Sequence, residues 1–371
     1  GQWKRLHSAP SRKAGVVEGD FVIKAGITIK DVAREAKVSV ATVSRALNGH
    51  ENVAEPVRQA VLEVAARLRY TPHAAARSLS SRRTNTVGVV LPDLYGEFFS
   101  ELMRGIDQVA RQRRQHLLVS SYHGDQVQQG AALRAMRGRV DGLLVLSPYA
   151  ESPGFLTDNL PQSLPTVLIN TYLPEQDHPV LSIDDHAGAV AMTRHLLDVG
   201  HRRIAFISGP DSNYDARERL RGFRDALVAF GADAQGVELP GDFDEASGHR
   251  AGQEMLAAGS LPDAVFAAND MMALGCLYAF AQAGIRVPDD VGLAGFDDIP
   301  LARFVHPSLT TMQVSIADLG DRAMTRLMQL MDEKSTESEG DKQTLVPRLV
   351  VRDSSRRGGR QPQPGVPVPR G

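Results

Sequence analysis

At 371 residues the chain is long enough for a small headpiece of about 60 residues and a larger body that splits into two lobes. Its 42 Lys and Arg against 44 Asp and Glu leave a formal net charge of −2, and its one cysteine, Cys276, excludes a disulfide framework and suits a reducing cytoplasm. No apolar run approaches the roughly 20 residues needed to span a bilayer, and residues 1–26 lack the apolar core of a signal peptide.

Residues 1–26 have no clear period and read as a flexible arm. Ile27 to Asn48, ITIKDVAREAKVSVATVSRALN, then sets out two short amphipathic helices joined by a tight turn. Thr28 with Asp31 three residues on resembles a capping box, and Ile29, Val32, Ala33 and Ala36 follow helical spacing. Val38 closes the turn, Ser39 N-caps the second helix, Val43 and Leu47 face inward, and Asn48-Gly49 stops it. This is the layout of a helix-turn-helix, whose second helix presents its N-terminal residues to base edges in the major groove. Val40, Ala41 and Arg45 are the natural readers, with Thr28, Ser39, Thr42, Ser44 and Asn48 beside them. Val57, Val61, Val64, Ala65 and Leu68 mark a third helix, with Pro56 tolerated in its first turn, so residues 27–70 form a minimal three-helix domain.

After Tyr70, Thr71-Pro72 can start a short Ala-rich helix, HAAARSLSS, which is too short to be stable alone in water and is expected to order on binding. Residues 27–83 carry ten Lys and Arg against five Asp and Glu, while residues 84–351 are net −14. A positive end and an acidic body are the footprint of a phosphate-binding headpiece.

The body alternates short β-branched runs with helical stretches. The runs are Thr86 to Leu91, Leu117 to Ser120, Gly142 to Leu146, Thr166 to Ile169, Ile204 to Ile207, Ala264 to Ala267 and Val291 to Phe296. Helical stretches include Phe98 to Arg114 and Ala187 to Val199. Such alternation is α/β, with parallel sheets covered by helices, and ligands in such sheets sit beyond the carboxyl ends of the strands. The end, GGRQPQPGVPVPRG, is rich in Pro and Gly, and residues 353–371 are expected to form a disordered tail.

The stretches VSVATVSRALN, YTPHAAARSL, VDGLLVL, GHRRIAFISGP, RERLRGF, ANDMMALG and VPDDVGLAGFDD stand in the order and spacing of one family. Residues 27–352 resemble a LacI/GalR-family transcriptional regulator, with a reader helix similar to that of the galactose repressor. The resemblance implies an all-α helix-turn-helix headpiece followed by a periplasmic-binding-protein-like body of two Rossmann-like lobes. One lobe spans about 84–185 and again 314–342; the other spans 186–313 plus the last strand. It implies a hinge helix over Ala74 to Ser80 within a linker at 71–83, with Ala76 among its DNA-binding residues and Leu79 wedged into the minor groove at the central base step, for which an apolar side chain is suited. It also implies a homodimer on a palindromic operator in double-stranded DNA. A small effector in the interlobe cleft would be held by Phe98, Phe99, Asn170, Arg219, Phe243, Asn269 and Asp297. Carboxylates and amides exchange hydrogen bonds with hydroxyls, Arg forks across two oxygens, and aromatic faces cover a sugar ring or a base.

Gly96-Glu97, Asn170-Thr171 and Val314 depart from the polar residues common at these places in sugar-binding members, so sugar, sugar acid, nucleoside and purine all stay open. Several of these residues also have a purely structural role available: Asn269 as the cap of a helix Asp270 to Ala283, Phe99 and Phe243 as core, and Asp297 in a turn; Glu97, outside the predicted set, reads as facing solvent. An α/β enzyme is disfavoured by the absence of a G-x-G-x-x-G after a strand, a Walker A loop, a G-x-S-x-G elbow and H-E-x-x-H. His123, His195, His201 and His306 lack metal-ligand spacing, His201 reads as a turn residue, and Cys276 reads as a buried thiol; no cofactor or metal is expected. A secreted solute-binding protein would need an export signal and no DNA headpiece.

Overall fold

The computed structural model describes residues 27–47, 52–70, 83–149, 153–161, 163–172, 178–332 and 342–356. The chain divides into two units, residues 1–80 and 81–371. Asn48, Ala76 and Leu79, the arm at 1–26 and the hinge segment up to residue 82 lie outside the described residues.

The first unit holds α1 (Ile29–Glu35), α2 (Val40–Leu47) and α3 (Glu55–Arg67). At the start of α1 the Asp31 carboxylate accepts from the Thr28 backbone N–H at 2.9 Å and from the Thr28 hydroxyl at 2.7 Å, which fixes the entry of the chain. Lys37 takes a positive φ of 54° in the turn, and Val38 N–H returns to Ala33 O at 3.0 Å. Ser39 Oγ accepts from Thr42 N–H at 3.1 Å and caps α2. Val32, Ala33, Val43, Ala46, Val53, Val61 and Ala65 form the buried core, with Leu47, Val57, Val64 and Leu68 packed against it. Small side chains let the three short helices approach closely.

The second unit opens with β1 (Thr86–Leu91), α4 (Glu97–Gln112), β2 (His116–Ser121), α5 (Gln126–Met136), β3 (Gly142–Leu146), α6 (Pro153–Asn159), β4 (Thr166–Ile169) and β5 (Val180–Ile183). It crosses over into α7 (Asp185–Asp198), β6 (Arg203–Ile207), α8 (Tyr214–Phe230), β7 (Gln235–Leu239), α9 (Glu245–Ala257), β8 (Ala264–Ala267), α10 (Asp270–Gln282) and β9 (Gly292–Ala294). A 3-10 turn, Pro300–Arg303, leads to β10 (Thr311–Gln313), α11 (Ile316–Asp332), β11 (Lys342–Leu345), β12 (Arg348–Val350) and a last 3-10 turn, Asp353–Ser355. The strands form a six-stranded parallel sheet, β11-β5-β4-β3-β1-β2, a four-stranded parallel sheet, β7-β6-β8-β9, and an antiparallel ribbon, β10-β12. Val87 to Leu91, Leu143 to Leu146 and Ala264 to Ala267 are buried along their whole length, as strands covered by helices on both faces must be.

Strands β1, β3, β4 and β8 begin and end where their apolar runs do, β2 extends one residue beyond its run at each end, and β6 starts one residue early. The run expected over Val291 to Phe296 forms a strand only at Gly292–Ala294, its ends lying outside the pairing. The six-stranded sheet also takes in Lys342–Leu345, three residues past the expected return at 342. The polar strand QGVEL (β7) and the short β5, β10, β11 and β12 carry no comparable apolar run; the pairing in which they sit defines them. The expected disordered tail from 353 is corrected at its start. Ser354 and Ser355 are fully buried: Ser354 Oγ donates to Leu293 O at 2.6 Å and accepts from Thr310 N–H at 2.8 Å, and Ser355 Oγ lies 2.8 Å from Thr310 Oγ1. His201 is likewise a buried anchor, with Nε2 donating to Ser355 O at 3.0 Å. Small polar side chains look like tail until tertiary partners satisfy them. Cys276 is buried in α10, and burial pushes its thiol well above the ordinary value.

Helices α4 and α11 cross so closely that a Cβ on Gly105 would stand 1.9 Å from Ala317 O, and one on Gly320 2.3 Å from Leu102 O. Backbone lies on both sides of the contact and cannot rotate away. Gly105→Ala should therefore lower stability by about 1 to 3 kcal/mol or more despite its better helix propensity. An unchanged midpoint in urea unfolding would mean that the helices can part at no cost.

Candidate functional site

On the headpiece, the faces of α2 divide as an amphipathic helix requires. Val43 and Ala46 are buried, whereas Val40, Ala41 and Arg45 are exposed together with Thr28 and Ser39; Thr42 and Ser44 are half-buried at the boundary. An exposed Val and Ala beside an exposed guanidinium form a surface able to meet thymine methyls and a guanine edge.

In the body, one cavity of about 420 Å³ lies at the carboxyl ends of the parallel strands. Its walls come from the segments after β1 (Asp93, Tyr95, Phe98, Phe99), β2 (His123), β3 (Tyr149) and β4 (Asn170) of the larger sheet. Opposite them stand Asn213, Asp215 and Arg219 after β6, Asp242, Phe243 and Asp244 after β7, Asn269 after β8 and Asp297 beyond β9. All seven side chains picked from the sequence as ligand-binding line this one cavity. His123 (φ 49°), Asn170 (42°), Phe243 (65°) and Asp297 (111°) sit in the left-handed region, which non-glycine residues occupy only when their surroundings hold them there.

Arg219 is 4% exposed. Its Nε donates to Asp185 Oδ1 at 2.7 Å, its Nη1 donates to Ala268 O at 2.6 Å, and the guanidinium carbon lies 3.9 Å from the centre of the Phe296 ring. Nη1 also stands 3.2 Å from Asp297 Oδ1, within ion-pair range but outside hydrogen-bond geometry, so that oxygen has no hydrogen-bond partner. Asp215 Oδ2 accepts from Asn170 Nδ2 at 3.1 Å. Asn170 Oδ1, Asp185 Oδ2 and Asp215 Oδ1 are also buried without a partner.

Burial works against the charge on Arg219, but Asp185, Asp297 and Asp215 outweigh it and raise its proton affinity. One guanidinium cannot satisfy three carboxylates. Burial pushes Asp297 up to about 7 against the pull of Arg219, and burial followed by the neighbouring Asp185 raises Asp215 well above its ordinary value. Asp185 is raised by burial too, with Arg219 acting in the opposite direction.

Besides the bond from Asn170 to Asp215, three further contacts join the two walls among the described residues. Tyr95 Oη donates to Glu245 Oε2 at 2.9 Å across the mouth, Tyr214 N–H donates to Pro148 O at 3.0 Å, and the Tyr172 and Tyr214 rings stack at 3.8 Å. Asn269 performs the structural role as well: its Oδ1 caps α10 through Met272 N–H at 2.9 Å and its Nδ2 donates to Phe243 O at 2.8 Å. Phe98, Phe99 and Phe243 pack on the core while also lining the cavity. Glu97 does not face solvent freely; it is half-buried with Oε2 unpartnered. Sequence reasoning missed Tyr95, Tyr149, Asp185 and Asp215. Asp215 was readable, since it stands four residues before Arg219 in a helix and so shares its face.

Residues 28–73 match the family model for bacterial regulatory proteins of the lacI family, and residues 193–355 match the periplasmic binding protein-like domain. The chain is similar to the HTH-type transcriptional regulator GalR of Escherichia coli K12, 37% identical over 312 residues, or 83% of this chain and 90% of that protein. It is also similar to the lac repressor dimer bound to operator and the anti-inducer ONPF, with a TM-score of 0.77 and 28% identity over 89% of this chain and 99% of that one. A LacI-family regulator from Enterococcus faecium with bound ribose aligns with a TM-score of 0.65 and 29% identity, covering 72% of this chain and 98% of that one. The chain belongs to the lacI family of bacterial regulatory proteins and is a DNA-binding transcriptional regulator. Among the described residues no helix is long and apolar enough to cross a membrane.

Asp297 gives the cavity a measurable pH signature. In the folded protein it keeps its proton up to about pH 7, against an ordinary carboxylate value of 3.8, so its stabilising contribution is complete below about pH 4 and is lost as pH rises through 7. Relative to Asp297→Asn, the ligand-free wild type should lose on the order of a few kcal/mol between pH 4 and 7.5. Parallel urea-unfolding curves with a constant difference would mean that Asp297 is ionised beside Arg219 throughout.

Proposed function

We propose that this chain is a repressor that binds a palindromic operator as a homodimer in the cytoplasm, is controlled by a small sugar-like effector in the body cavity, and catalyses no reaction. The carrying observation is that groups suited to a small polar ligand converge on one cavity at the ends of parallel strands, in a chain that also exposes Val40, Ala41 and Arg45 on a reader helix. The operator-bound dimer and the ribose-bound regulator among its structural neighbours support the same reading. Two-fold protein symmetry requires matching operator half-sites.

Effector binding between the walls changes the angle between lobes, and that change alters how two hinge segments order on DNA, with Ala76 and Leu79 at the minor groove. An effector moves the equilibrium only by its differential affinity for the two states, typically about 1 to 3 kcal/mol. Ser39, Thr42, Ser44, Thr28 and Asn48 position the reader helix on phosphates, and Arg45 reads a base.

Arg45→Ala should cost about 1 to 3 kcal/mol on the cognate operator and little on non-specific DNA, read by fluorescence anisotropy at fixed salt. Equal loss on both would make Arg45 a phosphate contact. For the cavity, Asp297→Asn is a better probe than removal of Arg219, because deleting the guanidinium would strand Asp185 and Asp297 as buried unpaired acids. The variant should need at least about tenfold more effector for half-maximal release, through loss of about 1 to 3 kcal/mol of charged hydrogen bonding, with operator affinity unchanged in its absence. Wild-type release by the variant would move effector binding elsewhere.

A further inference from the structure

The buried polar atoms of the cavity that lack partners are all of one kind. Asn170 Oδ1, Asp215 Oδ1 and Asp297 Oδ1 belong to cavity-lining residues that are 1%, 8% and 4% exposed, and all three are acceptors. No buried donor on a lining residue is left without a partner among the described residues. Of the Arg219 donors, Nε is directed to Asp185 Oδ1 and Nη1 to Ala268 O, with Asp297 Oδ1 at 3.2 Å from Nη1. The Asn170 and Asn269 amide nitrogens donate to Asp215 and to Phe243 O.

A hydroxyl group brings two lone pairs but only one donor to these acceptors. A carboxylate or phosphate would bring acceptors only. An ammonium carries three donors and no acceptor, which is the chemistry that three orphaned acceptors lack. Charge points the same way. Five carboxylates line the cavity, at Asp93, Asp215, Asp242, Asp244 and Asp297, with one guanidinium, and Asp185 lies behind the wall paired to that guanidinium.

We propose that the effector is an aminated sugar or polyol whose protonated amine is seated on Asp215, Asp297 and Asn170, with Asp215 the residue that selects charge. This rests on the cavity being the effector site. The amine replaces the missing donors, and the sugar ring lies against Phe98, Phe99 and Phe243. In the empty protein burial favours the neutral, protonated acids, and a bound cation favours their ionised form and pairs with it.

The test uses the full-length protein in a buffer free of amines. Glucosamine, galactosamine and mannosamine are each compared by calorimetry with the parent hexose and the N-acetyl derivative, which keep the skeleton and remove the charge. At least one amine should bind tenfold or more tighter than both of its uncharged counterparts, and Asp215→Asn should reduce that ratio to threefold or less. The ranking in the wild type stands as a result even if the variant fails to fold. Equal or tighter binding of the uncharged members, or an undiminished ratio in a folded Asp215→Asn protein, would overturn the proposal. Uncharged sugars that bind, and that Asp297→Asn weakens, would overturn the amine while leaving the cavity as the effector site; no binding by any member would count against both.

Discussion

A guanidinium taken fully out of water must find acceptors for its N–H groups, and the arrangement of the body cavity follows from how Arg219 does so. Its partners come from three separate crossovers: Asp185 at the start of α7, Ala268 O at the end of β8, and Asp297 beyond β9. The Phe296 ring covers the cation from another side. Because these elements are far apart in sequence, the ion pairs hold the ends of the smaller sheet in one register. The same crowding explains why the surrounding acids hold protons so firmly: one cation is shared among Asp185, Asp215 and Asp297 in a site closed to solvent.

This concentration of unmet charge is a poor way to stabilise a fold, since breaking up or isolating buried charges costs several kcal/mol and apolar replacements are often as stable. It is a good way to make two states of a body differ in energy. The walls are joined by few polar contacts, Tyr95 with Glu245, Asn170 with Asp215, and Pro148 with Tyr214, so a ligand that satisfies the orphaned oxygens acts where the lobes meet. The left-handed conformations of Asn170, Phe243 and Asp297 belong to the same economy, because backbone strain persists only where neighbours impose it.

The headpiece has a simpler logic. A core of Val and Ala in three short helices leaves almost every charged side chain outside, and in residues 27–83 bases outnumber acids two to one. The acidic body then repels phosphate on its own account, which confines DNA contact to the end that can read sequence.

By itself the sequence determined the local elements. Period-3.6 placement of Val32, Val43 and Val61 predicts the three headpiece helices, and continuous apolar runs such as TVGVV and GLLVL predict the central strands, because helix and strand periods are properties of neighbouring residues. The family's motifs carried seven cavity residues onto this chain, from Phe98 to Asp297. Only the tertiary structure decided what those residues lack. Whether the Asn269 amide is spent on Phe243 O, whether Asp297 keeps a partnerless oxygen beside Arg219, and whether Asp185 stands behind Arg219 depend on groups that lie tens of residues apart in sequence. The edge strands β7 and β11 and the buried Ser354 and Ser355 were illegible for the same reason: polar segments become structure only when distant groups satisfy their hydrogen bonds, and no local pattern encodes those partners.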